Sequence, residues 1–275
     1  MQMFHVFRNT PYGREALLHT AYFCKKMHIT PVVYIPEYTK FLLYLENDVV
    51  QVDLDDSYLR FPGTAREHVN EIMAEMELDS HRFFVPKQFS SPSLPDMPVN
   101  FNFMSSPQTI ADLSAKAGFG YIGPRLRRIF KAAVFPVLIP APVFKPFTSI
   151  AVMFGGTMNT ANTLRLAVRL QRWSGMPVSL FTAEEGRRGK KYYEKQMAKD
   201  ALTGLFAQTV SQWHIFPKKD FAESMYLIPH DALVVMGAYG HGVVRQLVMG
   251  STLETIQSIL PNNLLIVGPN YRGTS

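Results

Sequence analysis

DALVVMGAYGHGVVRQLVMGSTLETIQSILPNNLLIVGP, from Asp231 to Pro269, is the stretch on which the reading of this chain turns. An apolar run, Ala232 to Met236, has the length and composition of a buried strand and breaks at Gly237 and again at Gly240. Nine residues further on, Gly250-Ser251-Thr252 opens a helical run, and a second apolar strand, Leu264 to Val267, follows. Strand, glycine loop, helix start and strand together make a phosphate cradle, because free backbone N–H groups and the positive helix end both favour an anion. Ser251-Thr252-Leu253-Glu254 is also a capping box, S-x-x-E, which needs no ligand.

Working outward, the same order of elements recurs in both halves of the chain. FHVFRNTPYGREALLHTAYFCKKMHITPVVYIPE near the start reads as strand, turn, amphipathic helix and buried strand, and IAVMFGGTMNTANTLRLAVRLQRWSGMPVSLFTAEE repeats it. Later, GPRLRRIFKAAVFPVLIPAP (Gly123 to Pro142) tracks GSTLETIQSILPNNLLIVGP (Gly250 to Pro269) without a gap. The first half carries a net insertion between its second and last strands. Two homologous halves follow, residues 1–142 and 149–275, joined by the proline-stiffened linker Ala141 to Thr148.

Short continuous apolar strands alternating with helical patterns predict parallel sheets covered by helices on both faces. In the second half strands are expected at Ser149–Phe154, Val178–Thr182, Gln212–Phe216, Ala232–Met236 and Leu264–Val267. Helices are expected at about Thr160–Trp173, Lys190–Val210, Lys219–Leu227 and Thr252–Ile259. The matching strands of the first half are Phe4–Arg8, Val32–Ile35, Arg82–Val85, Phe101–Met104 and Val137–Ile139. The inserted piece, Tyr38 to Pro62, alternates like an extra hairpin turning at Glu46-Asn47-Asp48, and SSPSLPDMP (Ser90 to Pro98) reads as a proline-rich loop.

Composition narrows the function. At 275 residues, 47% hydrophobic and 18% charged, the chain suits a globular protein of two ordinary domains. A lone cysteine, Cys24, in the apolar helical run AYFCKKM, excludes an intramolecular disulfide and a cysteine-rich zinc site and fits a reduced, cytoplasmic setting. No apolar run is long enough to span a membrane and the N-terminus has no signal-peptide core, so no membrane partner is expected. Net charge is +6; the basic clusters GRRGKK and RLRRIFK read as solvated helix faces and loop ends, and no nucleic-acid partner is expected.

Several motifs fail their context tests. GFGYIG (Gly118 to Gly123) matches G-x-G-x-x-G but follows a helical run, not a strand, with no acid where a ribose contact belongs. No G-x-x-x-x-G-K-[ST], no His pair at zinc spacing and no G-x-S-x-G occurs, so no catalytic residue is assigned. His214 reads as a strand side chain and His230 as a turn residue, while Asp53, Asp55 and Asp56 read as solvated or edge-protecting groups of the insertion.

The spacing Gly237-x-x-Gly240, nine residues, then Gly250-Ser251, between a fourth strand and a last helix of a tandem α/β repeat, resembles the universal stress protein family. Its nucleotide-binding members carry G-2x-G-9x-G-[S/T] at this place. The resemblance covers nearly the whole chain. It implies two tandem universal-stress-type domains, each a five-stranded mostly parallel sheet flanked by helices, Rossmann-like and adenine nucleotide alpha hydrolase-like. It further implies an adenine nucleotide, ATP or ADP, in the C-terminal domain. Gly237 and Gly240, behind Met236, would let the chain approach ribose and phosphates; Gly250, Ser251 and Thr252 would bind the phosphates. Phe154, Gly155 and Gly156, with Phe181 and Thr182, would wall the adenine, and Arg245, or failing it His241, would neutralise phosphate charge.

Nucleotide-binding relatives place an aspartate at the end of the first strand, where this chain has Gly155, which argues against bound Mg2+. The first half holds Asn9 at the matching place, and Pro124 where Ser251 stands, which removes an N–H a phosphate would use. The resemblance implies that PVLIPAP and NLLIVGP pair between the two domains, with homodimerisation of the tandem left open. The function implied is stress response or signalling with, at most, slow ATP hydrolysis. The alternatives are a nucleotide-free protein-interaction module of the same fold, and an enzyme of the wider adenine nucleotide alpha hydrolase superfamily, a nucleotidyl transferase or ligase, whose HIGH-like or S-G-G-x-D-S-like motifs do not occur.

Overall fold

The computed structural model describes residues 1–107, 123–184, 188–238 and 260–273. Its first half runs β1 (Gln2–Val6), α1 (Pro11–Met27), β2 (Thr30–Tyr34), β3 (Lys40–Leu45), β4 (Asp48–Asp53), a 3-10 turn (Asp56–Leu59) and α2 (Pro62–Glu75). It continues through β5 (Arg82–Phe84), β6 (Phe89–Ser91), β7 (Leu94–Pro98), β8 (Phe103–Ser105), α3 (Pro124–Ala132) and β9 (Val137–Ile139). The second half holds β10 (Ser149–Met153), α4 (Met158–Ser174), β11 (Val178–Glu184), α5 (Lys190–Lys199), α6 (Thr203–Thr209) and β12 (Val210–Pro217). A 3-10 turn (Lys218–Asp220), α7 (Phe221–Met225), β13 (Ala232–Gly237) and β14 (Leu264–Val267) complete it.

The apolar runs become one ten-stranded sheet in the order β12-β11-β10-β13-β14-β9-β8-β1-β2-β5. Every neighbouring pair is parallel except β14 with β9, which run antiparallel with Leu264 opposite Ile139 and Ile266 opposite Val137. Strands β1, β8 and β9 and strands β10, β13 and β14 carry buried apolar residues on both faces, as a sheet covered on both sides requires. One core face joins Met3, Phe23 and Phe103 of the first half to Ile150, Leu164 and Leu180 of the second. The linker lies along α1: Tyr22 donates to the Phe147 carbonyl at 3.0 Å and the Phe144 N–H donates to Glu15 at 2.7 Å.

Equivalent positions can be read from the hydrogen-bond ladders. Phe7 N–H donates to Tyr34 O where Phe154 N–H donates to Phe181 O. Helices α1 and α4 both have 17 residues, a threonine N-cap (Thr10, Thr157) and a left-handed C-cap (His28, φ 53°; Gly175, φ 72°). The frame therefore sets Arg8 against Gly155 and Asn9 against Gly156. The sequence alignment that set Asn9 against Gly155 is one residue out, because a gapless match of the apolar runs does not sense where the helix begins.

Several expectations are corrected in detail. The insertion is not a lone hairpin: β3 and β4 join β7 and β6 in a second sheet of order β4-β3-β7-β6. Ser90–Pro98 is accordingly strand and turn, its prolines seated where β7 needs few donors, with Phe89 opposite Pro95. The helix expected over Lys190–Val210 is two, interrupted at Asp200–Leu202, where Ala201 adopts φ 55°. Asp53 is not a solvated edge charge: it is 7% exposed, ion-paired with Arg125 and hydrogen-bonded by Gln51. The basic face of α3 is likewise engaged, Arg128 pairing with Asp48 of the inserted sheet. Cys24 is buried, with its thiol pushed up by burial, as its apolar setting implied.

Candidate functional site

In open parallel sheets ligands sit outside the carboxyl ends of the strands, near the point where strand order reverses. In the second half that point lies between β10 and β13, at the mouth formed by Phe154-Gly155-Gly156, Phe181-Thr182 and Met236-Gly237. Gly240, Arg245, Gly250, Ser251 and Thr252, with His241 and the helix expected at Thr252–Ile259, lie outside the described residues. The described part of the site is the floor of the cleft.

The floor is built by close approach. Gly156 has φ +68°, and a Cβ there would come within 3.1 Å of the Tyr193 ring, so conformation and space both require glycine. Tyr193 is fixed by its hydroxyl, which donates to the Ala183 carbonyl at 3.1 Å. A Cβ on Gly237 would meet Asn159 Nδ2 at 2.8 Å. Asn159, in the first turn of α4, uses that approach to donate to the Ala238 carbonyl and, at 3.4 Å, to Val267 O. Its Oδ1 is buried and accepts no hydrogen bond among the described residues. Asn159 was missed at the level of sequence, although the FGGTMN turn carries it; an asparagine just inside a helix ordinarily reads as capping chemistry.

The side chains expected to wall a base are core residues. Phe154, Phe181, Thr182 and Met236 are each 0–1% exposed, so only their backbone edges are available to a ligand. Trp213 donates to Thr182 Oγ1 at 3.0 Å, and His214 stacks on Phe181 with ring centroids 4.7 Å apart. The N-terminus of α4 caps itself: Thr157 Oγ1 accepts from Thr160 N–H at 3.3 Å and Thr160 Oγ1 from Thr157 N–H at 2.9 Å. Among the described residues no three His, Cys, Asp or Glu side chains converge as a metal site, and Gly155 brings no carboxylate to the cleft. The described mouth thus offers a ligand backbone edges and no carboxylate, with Asn159 buried beneath it.

The equivalent mouth of the first half is filled by its own chain. Asn9 Nδ2 donates to Phe61 O at 3.0 Å and to Thr64 Oγ1 at 3.1 Å, while its Oδ1 lies 2.8 Å from His68 Nδ1. The start of α2, delivered by the insertion, thus uses the donors and acceptor that Asn9 offers. Pro107 stands where β13 has Gly237, as the pairing of Met3 with Phe103 and of Ile150 with Leu233 shows.

No protein-family model matches the sequence, and no curated protein does. Solved structures do match over the whole length. A universal stress protein from Archaeoglobus fulgidus DSM 4304 superposes with a TM-score of 0.61 at 14% identity, covering 97% of this chain and 96% of that one. A putative universal stress protein from Pseudomonas aeruginosa UCBPP-PA14 matches with a TM-score of 0.54 at 11% identity, covering 98% and 93%. A functionally unknown protein from Pseudomonas aeruginosa PAO1 gives 0.54 at 10% identity, covering 98% and 92%. This is an α/β protein with a large, mostly parallel sheet flanked by helices. Its fold is the Rossmann-like fold of the universal stress proteins.

Proposed function

We propose that the chain is a tandem universal stress protein of two domains, residues 1–142 and 149–275, that binds an adenine nucleotide in its C-terminal domain and acts in stress response or signalling. The observation that carries the reading is the glycine spacing directly behind β13, Gly237-x-x-Gly240, nine residues, Gly250-Ser251, beside the switch point of the half-sheet. Two features support it. Gly156 and Gly237, beyond β10 and at the end of β13, leave no room for a side chain, and Asn159 carries a buried acceptor with no partner among the described residues. Antiparallel pairing of β9 with β14 supports the view that the tandem joins its two domains along their last strands. The first domain is the non-binding partner, its mouth closed by Phe61 and Thr64. ATP or ADP, without a firmly held Mg2+, is the ligand, and turnover, if any, is slow.

No helix among the described residues is long and apolar enough to cross a membrane. A cytoplasmic place is proposed from the single buried thiol. The nucleotide-free interaction module is favoured by one observation, the exposed Tyr44 and Val49 on the inserted sheet, 39% and 41% accessible. Native mass spectrometry of the purified protein, with and without Gly250→Val, separates the readings. ATP or ADP carried by the wild type and missing from the variant is the expected result. Absence of nucleotide, together with no thermal shift in millimolar ATP, leaves the interaction module standing.

A further inference from the structure

The first half contains a cavity of about 420 Å³ at the carboxyl ends of β2 and β5, outside the closed mouth at Asn9. Its walls are aromatic, from Tyr34, Tyr38, Phe83, Phe84 and Phe89, and it is completed by Leu59 and Pro62 of the insertion and Arg66 of α2. A volume of this order, apolar walls and a few polar groups are the usual anatomy of a small-molecule site. Two charged groups reach it. The Arg66 guanidinium lies 4.4 Å over the Phe83 ring and has no carboxylate within ion-pair range among the described residues. Glu37 stands exposed at the rim.

Tyr34 is a wall residue, 2% exposed, whose hydroxyl lies buried beside the Glu37 backbone and is not open to the cavity. The equivalent residue of the second half is Phe181, buried to the same degree.

We propose that this cavity binds a planar aromatic carboxylate, its ring against the Phe83 and Phe84 side and its carboxylate taken by Arg66. A guanidinium matches one carboxylate in a bidentate fork. A polyphosphate is disfavoured, because a single arginine serves the cavity and Glu37 repels further negative charge. The site is independent of the nucleotide cleft of the second half, and ATP does not compete for it.

Titration calorimetry of the full chain with 2-naphthoate and its neutral amide, 2-naphthamide, tests this. Naphthoate should bind saturably with a Kd below about 1 mM, the scale expected of a ligand of this size. Arg66→Gln should weaken naphthoate about tenfold and leave naphthamide unchanged, since only the anion loses a charge-assisted pair. Tyr34→Phe should leave the affinity for naphthoate unchanged, because the hydroxyl removed is not open to the cavity. Leu59→Trp, which fills the cavity with an indole, should abolish binding of both ligands while the protein still melts cooperatively. No saturable binding to the folded wild type overturns the proposal. So does binding that Arg66→Gln and Leu59→Trp leave intact, or naphthoate displaced by ATP.

Discussion

The two half-sheets have the same order, β5-β2-β1-β8-β9 against β12-β11-β10-β13-β14, yet they fill the same places with different chemistry. Under α1 the first half buries a polar trio. Thr20 Oγ1 lies 3.1 Å from His5 Nδ1, 2.8 Å from Ser105 Oγ and 2.9 Å from Ala16 O, and all three side chains are 0–1% exposed. The ladders set these residues against Val152, Ala167 and Val235 of the second half, all fully buried and apolar. At the first strand's end the contrast reverses: Arg8-Asn9 is side-chain rich and closed by the insertion, whereas Gly155-Gly156 is bare. The difference teaches that one backbone frame tolerates either a hydrogen-bonded polar trio, with His5 Nε2 left over, or an apolar core. The first half's mouth is closed by the contacts that Asn9 makes with Phe61 and Thr64.

The sharpest way to break this comparison is to exchange the third residue of the two equivalent helices, Gly13 of α1 and Thr160 of α4. A Cβ on Gly13 would lie 1.8 Å from the Arg8 carbonyl oxygen, a backbone atom that cannot yield cheaply. Thr160 carries its side chain without conflict because Gly156, at φ +68°, turns the preceding chain aside, while Asn9 keeps negative φ. Gly13→Thr should therefore cost more than about 4 kcal/mol or prevent folding. Thr160→Gly should cost only ~1–2 kcal/mol, from the lost reciprocal cap and the added backbone freedom. Urea denaturation of both variants checks this; equal costs would show that the two turns are not set by their glycines.

A smaller effect tests the trio as a unit. His5→Val or Ser105→Val alone leaves buried partners unsatisfied and should cost about 2 kcal/mol each. Installing the second half's set, His5→Val with Thr20→Ala and Ser105→Val, removes every polar atom of the network at once. The triple variant should then lie within about 1 kcal/mol of the wild type, far from the sum of the single costs. Additive losses would mean that the network stabilises the domain as a whole and that the halves are not interchangeable here.

What was legible in the sequence follows the physics of each signal. Buried parallel strands are near-continuous apolar runs, so Val137–Ile139 and Leu264–Val267 are readable to the residue. Of the glycine spacing Gly237 to Ser251 the described residues include Gly237 alone, where a Cβ would meet Asn159. The inserted sheet was harder. Its β7 is proline-rich and pairs with β3 across a long separation, Leu42 facing Asp96, and local propensity does not encode such pairing. The Asp53–Arg125 pair and the Asn9 contacts are also long-range, so they read locally as solvated charge and turn chemistry. Asn159 shows the same limit from the other side. Its role depends on the missing Cβ of a residue 78 positions away.

The comparison has a pH signature, because among the described residues the buried histidines, His5 and His19, both belong to the first half. Burial holds His5 down at about 3, and it holds His19 at about 4 against the raising influence of the Val143 carbonyl and Glu15. Both are neutral in the folded protein and protonate in the unfolded chain near 6.5, so below that pH the unfolded state binds more protons. Their contribution is intact above about pH 6.5 and is lost as pH falls, through about 4 for His19 and about 3 for His5. Removing His5 in the triple variant should reduce the slope of stability against pH by about 1.4 kcal/mol per unit between pH 6 and 4, one proton's worth. Denaturation midpoints measured at half-unit steps would show it. An unchanged slope would mean that His5 is protonated in the fold, with its orphaned Nε2 finding an acceptor that the second half, with Val152 in that place, has no need to supply.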